Sequence, residues 1–327
     1  MDTHPVSCRT VGEFYGVDGK QLEEQYRLFL SDFYEWDQRE HAEKWVLFPE
    51  NIGPHLSLDE TALTYDELYT ILTNKQAKGK KGSVVAIVKG TLASDVIDVL
   101  NRINYSKRLK VKEVTIDMAA NMEMIVRRAF PKATLVTDRF HVQKLATEAL
   151  QDIRVAHRWE AIEQESKEME LAKEAGRKHS PEILENGETR KQLLARSRYL
   201  LFKTENKWTP NQRARAEVLF HWYPSLERSY NLTMQLRHIY HTVKEKVVAF
   251  TRLAHWYEQI DQAGFKQFNT VKRSIAAHYQ TIINYFDNRS TNASAESFNA
   301  KIKSFRACLR GVKNISYFLF RLTNIYA

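Results

Sequence analysis

Residues 112–138 read KEVTIDMAANMEMIVRRAFPKATLVTD, and this stretch decides the fold class. A short apolar strand pattern ends at Asp117, a helix-period pattern follows it, and Pro131 terminates that helix. A second strand pattern, 133–137, then ends at Asp138. A strand, a helix and a strand in this order predict two parallel strands joined by a crossover helix, and therefore an α/β protein.

Upstream of this stretch, strand patterns follow one another without a helical pattern between them. Three strand patterns, 55–58, 67–73 and 83–88, follow one another, and the Gly- and Lys-rich turn 74–82 joins the last two. Three consecutive strands with short connections predict an antiparallel meander. The first of them leads into Asp59, and in the inferred strand order it lies beside the fourth strand of the chain.

Helical patterns occupy the rest of the chain. The first fifty residues are predicted to be helical, because five apolar residues recur at steps of four and three on one helix face: Leu22, Tyr26, Phe29, Phe33 and Trp36. No strand pattern occurs between about 150 and 285, which predicts an all-helical insertion. An amphipathic helix begins near Asn292, and a short apolar helix, 315–325, follows it.

Composition and charge restrict the class of protein. The chain of 327 residues is 43% hydrophobic and 27% charged, which is typical of a folded globular protein and excludes collagen-like and disordered chains. Its formal net charge is +9, and residues 265–327 hold ten Lys and Arg against two Asp and Glu. A polyanionic partner such as nucleic acid is expected at this basic end; a basic surface kept for solubility is the alternative.

The cysteines and the hydropathy pattern indicate a cytosolic location. Cys8 and Cys308 have no partners at metal-ligand spacing, which excludes a disulfide scaffold and a Cys-rich zinc finger. The longest apolar runs fall far short of the roughly 20 residues that span a membrane. The first ten residues contain no apolar run, so a secretory signal is not expected.

Three carboxylates form the candidate active site. Asp59 and Asp117 end strands that are expected to be neighbours, and Glu296, near the start of the amphipathic helix, can supply a third oxygen ligand. Such a set suits Mg²⁺ or Mn²⁺, and two of these ions can activate water for phosphoryl transfer. The alternatives are ordinary: a strand-end aspartate is usually a turn or cap residue, and a single helical glutamate is usually a solvated surface residue.

Four strings resemble, in their order along the chain, the bacterial insertion-sequence DDE transposases of the ISL-three group. They are LDE at 58–60, TIDM at 115–118, TDRFHVQ at 137–143 and AESFNAKIK at 295–303. The block 288–314 is similar to the ISAon-type branch of that group. The resemblance implies a ribonuclease-H-like mixed sheet flanked by helices: an N-terminal helical segment, 1–54, and a catalytic domain, 55–327, interrupted by the helical insertion at about 150–285.

The resemblance also implies a chemistry and a set of site residues. The chemistry is DNA transposition by metal-dependent phosphodiester hydrolysis and strand transfer, with two Mg²⁺ or Mn²⁺ ions held by Asp59, Asp117 and Glu296. Asp138 is the main rival for the second acid, although it reads more simply as the N-cap of its helix. His141 is expected to be an active-site or DNA-contact residue, with a capping and packing role as the alternative. Glu60 reads as an outward-facing neighbour of Asp59.

Basic residues expected to contact DNA lie on two elements. On the amphipathic helix they are Lys301, Lys303, Arg306 and Arg310; on the turn 74–82 they are Lys78, Lys80 and Lys81, together with Lys75. A Lys-rich turn is also commonly a solubilising tip. Trp208, Trp222 and Trp256 are expected to belong to the core of the insertion rather than to stack on bases.

Relatives usually carry an N-terminal zinc-binding and helix-turn-helix region that reads the ends of the element, and fewer than sixty residues precede Asp59 here. The resemblance therefore implies a separate DNA-recognition protein from the same element. It also implies DNA partners at the element ends and the target, a dimer on DNA, no membrane, and a bacterial cytoplasmic, nucleoid-associated location. Two other functions stay open: an inactive or domesticated DNA-binding protein, and a metal nuclease of the Holliday-junction type.

Overall fold

The computed structural model describes residues 1–63 and 67–327. In chain order its strands are β1 (Trp45–Leu47), β2 (His55–Ala62), β3 (Leu68–Asn74), β4 (Val84–Lys89), β5 (Glu113–Ile116) and β6 (Thr134–Thr137). Its α-helices are α1 (Cys8–Tyr15), α2 (Gly19–Gln25), α3 (Ala93–Leu100), α4 (Tyr105–Arg108), α5 (Ala120–Ala129), α6 (Arg139–Glu174), α7 (Arg190–Arg196), α8 (Pro210–Trp222), α9 (Pro224–Thr242), α10 (Lys246–Ala263), α11 (Lys266–Ala277), α12 (Tyr279–Ile283), α13 (Tyr285–Asn288), α14 (Ala293–Cys308) and α15 (Ile315–Tyr326).

The chain divides into two compact units. The first unit contains Met1–Asp138 and Asn288–Ala327, and the second contains Arg139–Asp287. All six strands lie in the first unit. Among the described residues, no helix is both long and apolar enough to cross a lipid bilayer.

The sheet of the first unit has the strand order β1-β4-β3-β2-β5-β6. Strands β2, β3 and β4 pair antiparallel, which confirms the predicted meander. Strand β5 pairs parallel with β2, and β6 pairs parallel with β5, so the first strand of the meander does lie beside the strand that precedes Asp117. The carboxyl ends of three neighbouring strands therefore meet at one edge of the sheet.

Helices cover the two faces of this sheet with separate apolar clusters. On one face, Leu56 and Leu58 of β2 and Val114 of β5 pack with residues of α3 and α5. On the other face, apolar side chains of β3 and β4 pack with α14 and α15, as the spacing of the amphipathic helix indicated. The buried residues that α14 contributes are Ala295, Phe298, Ile302 and Phe305. Alternation along β2 places its odd-numbered residues on the α14 face.

The helical prediction for the first fifty residues is wrong in part. Helix α2 ends at Gln25, a π-helical turn covers Tyr26–Leu30, and turns lead from there to β1 at the edge of the sheet. The π turn changes the phase of the helix face, so that Phe29 is 72% exposed while Tyr26 and Phe33 are buried. Tyr26 and Phe33 pack in a small cluster against α15, and this tertiary contact overrides the simple helical period.

The second unit consists of helices and the segments that connect them, from α6 to α13, with no strand among its described residues. Helix α6 is 36 residues long, and its C-terminal part is largely exposed. Of the three tryptophans predicted to belong to the core, Trp256 is buried, and its indole N–H donates to the Leu232 carbonyl oxygen at 2.8 Å. Trp208 and Trp222 are only half-buried.

Candidate active site at the end of the parallel strands

Three aspartates lie in one row across the parallel strands. Ser57 pairs with Thr115 in the β2–β5 register, so Asp59 and Asp117, two residues further along each strand, lie at the same level. The β5–β6 register continues to Asp138, whose amide donates to the Ile116 carbonyl oxygen at 2.9 Å. Neighbouring strands are about 4.8 Å apart, and residues in register share a face. The fold thus brings the two predicted acids and their rival to one edge of the sheet.

Neutral donors orient the carboxylates of Asp59 and Asp117, and both side chains are half-buried. Asp59 accepts a hydrogen bond from the Asn299 side-chain amide at 2.7 Å and another from the Glu60 backbone amide at 2.8 Å. Asp117 accepts one from the Ala119 amide at 2.8 Å. These bonds fix the direction of each carboxylate without neutralising its charge.

Glu60 is a third carboxylate near this row. Burial raises the pKa of Glu60, the negative charges of Asp117 and Asp59 raise the pKa further, and a hydrogen bond with Asn121 lowers it. Its side chain is half-buried, and its outward-facing role stays a prediction. Two of these causes are like charges, so Glu60 lies close enough to Asp117 and Asp59 to interact with them electrostatically.

Helix α14 contacts β2 beside the row. Asn299 contacts Asp59, and the Arg306 guanidinium donates to the carbonyl oxygens of Ala62 at 3.1 Å and Leu63 at 3.4 Å. These bonds hold α14 against the carboxyl end of β2.

Glu296 lies in the first turn of α14, and its side chain is exposed. It precedes Asn299 by three residues, which is about 4.5 Å along the helix axis and on the same helix face. In residues 1–63 and 67–327, no group of three or more His, Cys, Asp or Glu side chains is arranged to hold a metal ion. The β2–β5 register, continued two residues past Ser57 and Thr115, thus brings Asp59 beside Asp117, and Glu296 lies one helical turn from the Asp59 contact.

Asp138 is fully buried, unlike the other two aspartates of the row. Its carboxylate accepts a hydrogen bond at 3.1 Å from the amide of Asn292, the residue immediately before α14. Sequence reasoning assigned Asp138 to the start of its own helix, α6, and missed this bond to the start of α14. A carboxylate that is buried and bonded to a helix-leading amide acts naturally as an anchor for that helix.

A second group of polar side chains lies at the opposite end of β5. We call it the Glu113 cluster; it consists of Lys75, Glu113, Thr115, Asn288 and Ser290. Glu113 is only 3% exposed, and the Lys75 ammonium lies 3.5 Å from its carboxylate. Lys75 also donates to Thr115 Oγ1 at 2.7 Å and to Ser290 Oγ, and Ser290 Oγ donates to Glu113. Burial lowers the pKa of Lys75, and the negative charge of Glu113 opposes that shift.

The predicted DNA-contacting cations fall into two groups. Lys301 donates to the Gly79 carbonyl oxygen at 2.6 Å, and Arg306 makes the strand-end bonds described above, so both support the fold. Exposed side chains belong to Lys303, Arg310, Lys78, Lys80 and Lys81. Arg310 lies beyond the end of α14 and has a positive φ of 56°, so the helical ladder of cations ends before it. His141 is half-buried in α6, in the second unit.

A comparison with protein families identifies the class of this chain. A family model described as transposase, for the ISL-three group of DDE transposases, matches residues 56–322. The chain therefore belongs to the ISL-three family of transposases. No curated protein and no solved structure matched the chain. The family predicted from four short strings is confirmed, and the ISAon-type branch stays a prediction.

Proposed function

We propose that this transposase uses the Asp59–Asp117 edge of the sheet to cut DNA at the ends of its element and join the freed ends to target DNA. The main support is the register that puts both carboxylates at one level on neighbouring parallel strands. The family match supports transposition as the biological activity. The strand order, with β5 beside the first strand of a meander, supports a ribonuclease-H-like core interrupted by the helical second unit.

The donor set at this edge fits Mg²⁺ or Mn²⁺. Asp59, Asp117 and Glu296 offer carboxylate oxygens, which are the ligands that these hard cations prefer. Burial and then the charges of Asp117 and Asp59 raise the pKa of Glu60, and a divalent cation stabilises carboxylates that lie close together in this way. We assign the third ligand position to Glu296, because Asn299, one turn further along α14, contacts Asp59. Two bound ions would supply electrostatic stabilisation of the attacking and leaving oxygens.

The side chains of the chain orient this chemistry and take no covalent part in it. Asp59 is held by Asn299 and its own strand, and Asp117 by the Ala119 amide, so both face the same edge. Hydrolysis forms a bond from water oxygen to phosphorus and breaks the P–O3′ bond, releasing a 3′-hydroxyl. In strand transfer that hydroxyl attacks a target phosphodiester, a new P–O3′ bond forms, and a target 3′-hydroxyl leaves.

The exposed cations supply the DNA contacts in our proposal. Lys303 lies in α14 and Arg310 lies beyond its end, whereas Lys78, Lys80 and Lys81 lie on the hairpin between β3 and β4, at the other end of β2 from the aspartate row. Lys301 and Arg306 keep a mixed role, because they also bond backbone carbonyls. We assign His141 to DNA contact as well. A dimer on DNA, a separate recognition protein from the same element, and action on the bacterial nucleoid complete the proposal.

The proposal is tested with purified chain, Mg²⁺ and DNA that carries an element end. Asp59→Asn, Asp117→Asn and Glu296→Gln are each expected to abolish cleavage while DNA binding persists, with the exposed Asp98→Asn of α3 as the matched control. Full cleavage by all three variants would overturn the site. Cleavage without strand joining would indicate a nuclease of the Holliday-junction type, and binding without cleavage by the unmodified chain would indicate an inactive DNA-binding protein.

A further inference from the structure

The segment that leads into α14 is held at two points by buried acidic residues. Ser290 bonds the Glu113 cluster, and the Asn292 amide bonds the buried carboxylate of Asp138. Asn288 also donates to Glu113, at 3.4 Å. Since Glu296 lies only four residues after Asn292, these bonds fix the end of the helix from which Glu296 projects.

Ser290 is the central link of this arrangement because its hydroxyl both accepts and donates a hydrogen bond. Its hydroxyl accepts a hydrogen bond from the Lys75 ammonium and donates one to the Glu113 carboxylate. Hydrogen bonds with a charged partner are about twice as strong as neutral ones. One hydroxyl thus connects the segment before α14 to a buried ion pair that is built on the sheet and the hairpin.

The backbone of the segment supports the same interpretation. Arg289 has a positive φ of 52°, a conformation that residues other than Gly adopt at a cost. It lies between Asn288 and Ser290, whose side chains both bond Glu113. The bonds on either side of Arg289 therefore hold a turn that the sequence alone does not favour.

We propose that Lys75 and Glu113 are positioning residues for catalysis, which act through Ser290 to set the place of Glu296 relative to Asp59 and Asp117. The inference rests on the proposed function, since it assigns a purpose to the position of Glu296. Lys75 and Glu113 touch neither DNA nor the reacting atoms in this account. Their role is to keep the first turn of α14 at the level of the aspartate row.

Ser290→Ala is the variant that tests this role. It removes the link and leaves the Lys75–Glu113 ion pair and its Thr115 contact in place, so thermal stability is expected to change little. The Mg²⁺ concentration for half-maximal cleavage is expected to rise about 10-fold or more, as for other residues that orient metal ligands. Ser290→Thr, which retains a hydroxyl, is expected to restore the unmodified value. Ser304→Ala, at an exposed serine within α14, is the matched control.

A second measurement needs neither metal nor activity. The Glu296 amide donates to the Asn292 carbonyl oxygen at 2.9 Å, so hydrogen exchange at this amide reports the order of the first turn of α14. In metal-free Ser290→Ala, exchange of this turn is expected to increase at least several-fold while β2 and β5 stay protected. Unchanged exchange together with unchanged Mg²⁺ dependence would overturn the positioning role. Full activity of Glu296→Gln would instead overturn the proposed function and leave the exchange result standing.

Discussion

Two charged clusters lie at opposite ends of β5, and the charges around them differ. Glu113 is buried against the Lys75 ammonium and bonded by side chains from the segment before α14. At the other end, the charges that act on Glu60 are those of Asp117 and Asp59, which are of its own sign. A cluster that contains its own counter-charge suits a structural role, whereas like charges held together suit a site that binds a cation.

The largest expected effect is a loss of DNA cleavage when the aspartate end of β5 is changed. Asp117→Asn is expected to lower the rate of DNA cleavage by about 10³-fold, because loss of a metal ligand removes several kcal/mol of transition-state stabilisation. Its thermal stability is expected to stay the same or rise, since one of the like charges disappears. Cleavage kinetics and thermal unfolding measured on the same preparation check both halves. An equal loss in the Asp98→Asn control, or a loss explained by unfolding, would contradict the assignment.

A substitution at the Glu113 end of β5 is expected to lower the free energy of unfolding. Glu113→Gln removes the carboxylate that pairs with the buried Lys75 ammonium, and breaking such a pair costs about 3–5 kcal/mol. Urea unfolding of the variant is expected to show a loss near the lower end of that range, because Gln keeps part of the hydrogen bonding. A loss below about 1 kcal/mol would show that the pair is less important than its burial indicates.

Removing both charges of the Lys75–Glu113 pair separates its contribution to stability from its contribution to cleavage. Lys75→Met combined with Glu113→Leu replaces the ion pair with apolar side chains, and such exchanges are often neutral for stability. Urea unfolding is expected to show that most of the stability lost in Glu113→Gln returns. Cleavage at low Mg²⁺ is expected to stay weak, because Ser290 has lost its charged partners Lys75 and Glu113 and retains the 3.4 Å contact with Thr115. Recovery of stability and cleavage together would reduce the cluster to a purely structural element.

The sequence predicted the sheet well because strand patterns and short connections are local signals. The meander, the parallel pairs and the positions of Asp59 and Asp117 all follow from them. Strand β1 was missed because it has only three residues and forms by pairing with β4. The N-terminal helix failed at the π turn, where packing of Tyr26 and Phe33 against α15 determines the side-chain phase.

The site was predicted only as far as its residues lie on regular elements. Register along parallel strands makes Asp59 and Asp117 neighbours, and this could be inferred from the strand order. The Glu113 cluster could not, since Ser290 bonds Glu113 from 177 residues away and a Glu at a strand start reads as a surface residue. On α14, Asn299 donates a hydrogen bond to Asp59, and this contact depends on the rotation of the helix against β2.

A smaller effect concerns DNA affinity. Lys303→Ala combined with Arg310→Ala removes two exposed charges near the aspartate edge. The slope of log affinity against log salt is expected to fall by about 2, because each phosphate contact contributes about 0.9. Binding titrations at several salt concentrations measure this slope. The control pair Lys20→Ala and Lys110→Ala, exposed elsewhere on the first unit, is expected to leave it unchanged, and equal slopes for both pairs would contradict the placement.

The smallest expected effect is a pH dependence of stability in metal-free buffer. The folded state raises the pKa of Glu60 above its ordinary 4.5. At pH values between 4.5 and the raised pKa, the folded chain therefore binds more protons than the unfolded chain. The contribution of Glu60 to stability is therefore fully present below that ordinary value and is lost as the pH rises through the raised pKa. Glu60→Gln is expected to remove this loss and to unfold at a higher temperature near neutral pH. An unchanged dependence of stability on pH would show that the charges of Asp59 and Asp117 do not affect Glu60.

Manganese binding followed by electron paramagnetic resonance tests the central claim most directly, because it observes the cation at the aspartate row without DNA or turnover. We expect the unmodified chain to bind Mn²⁺ and the Asp59→Asn, Asp117→Asn double variant to lose that binding while remaining folded. The Ser290→Ala variant is expected to bind more weakly but at the same site. Unchanged Mn²⁺ binding in the folded double variant would contradict the account.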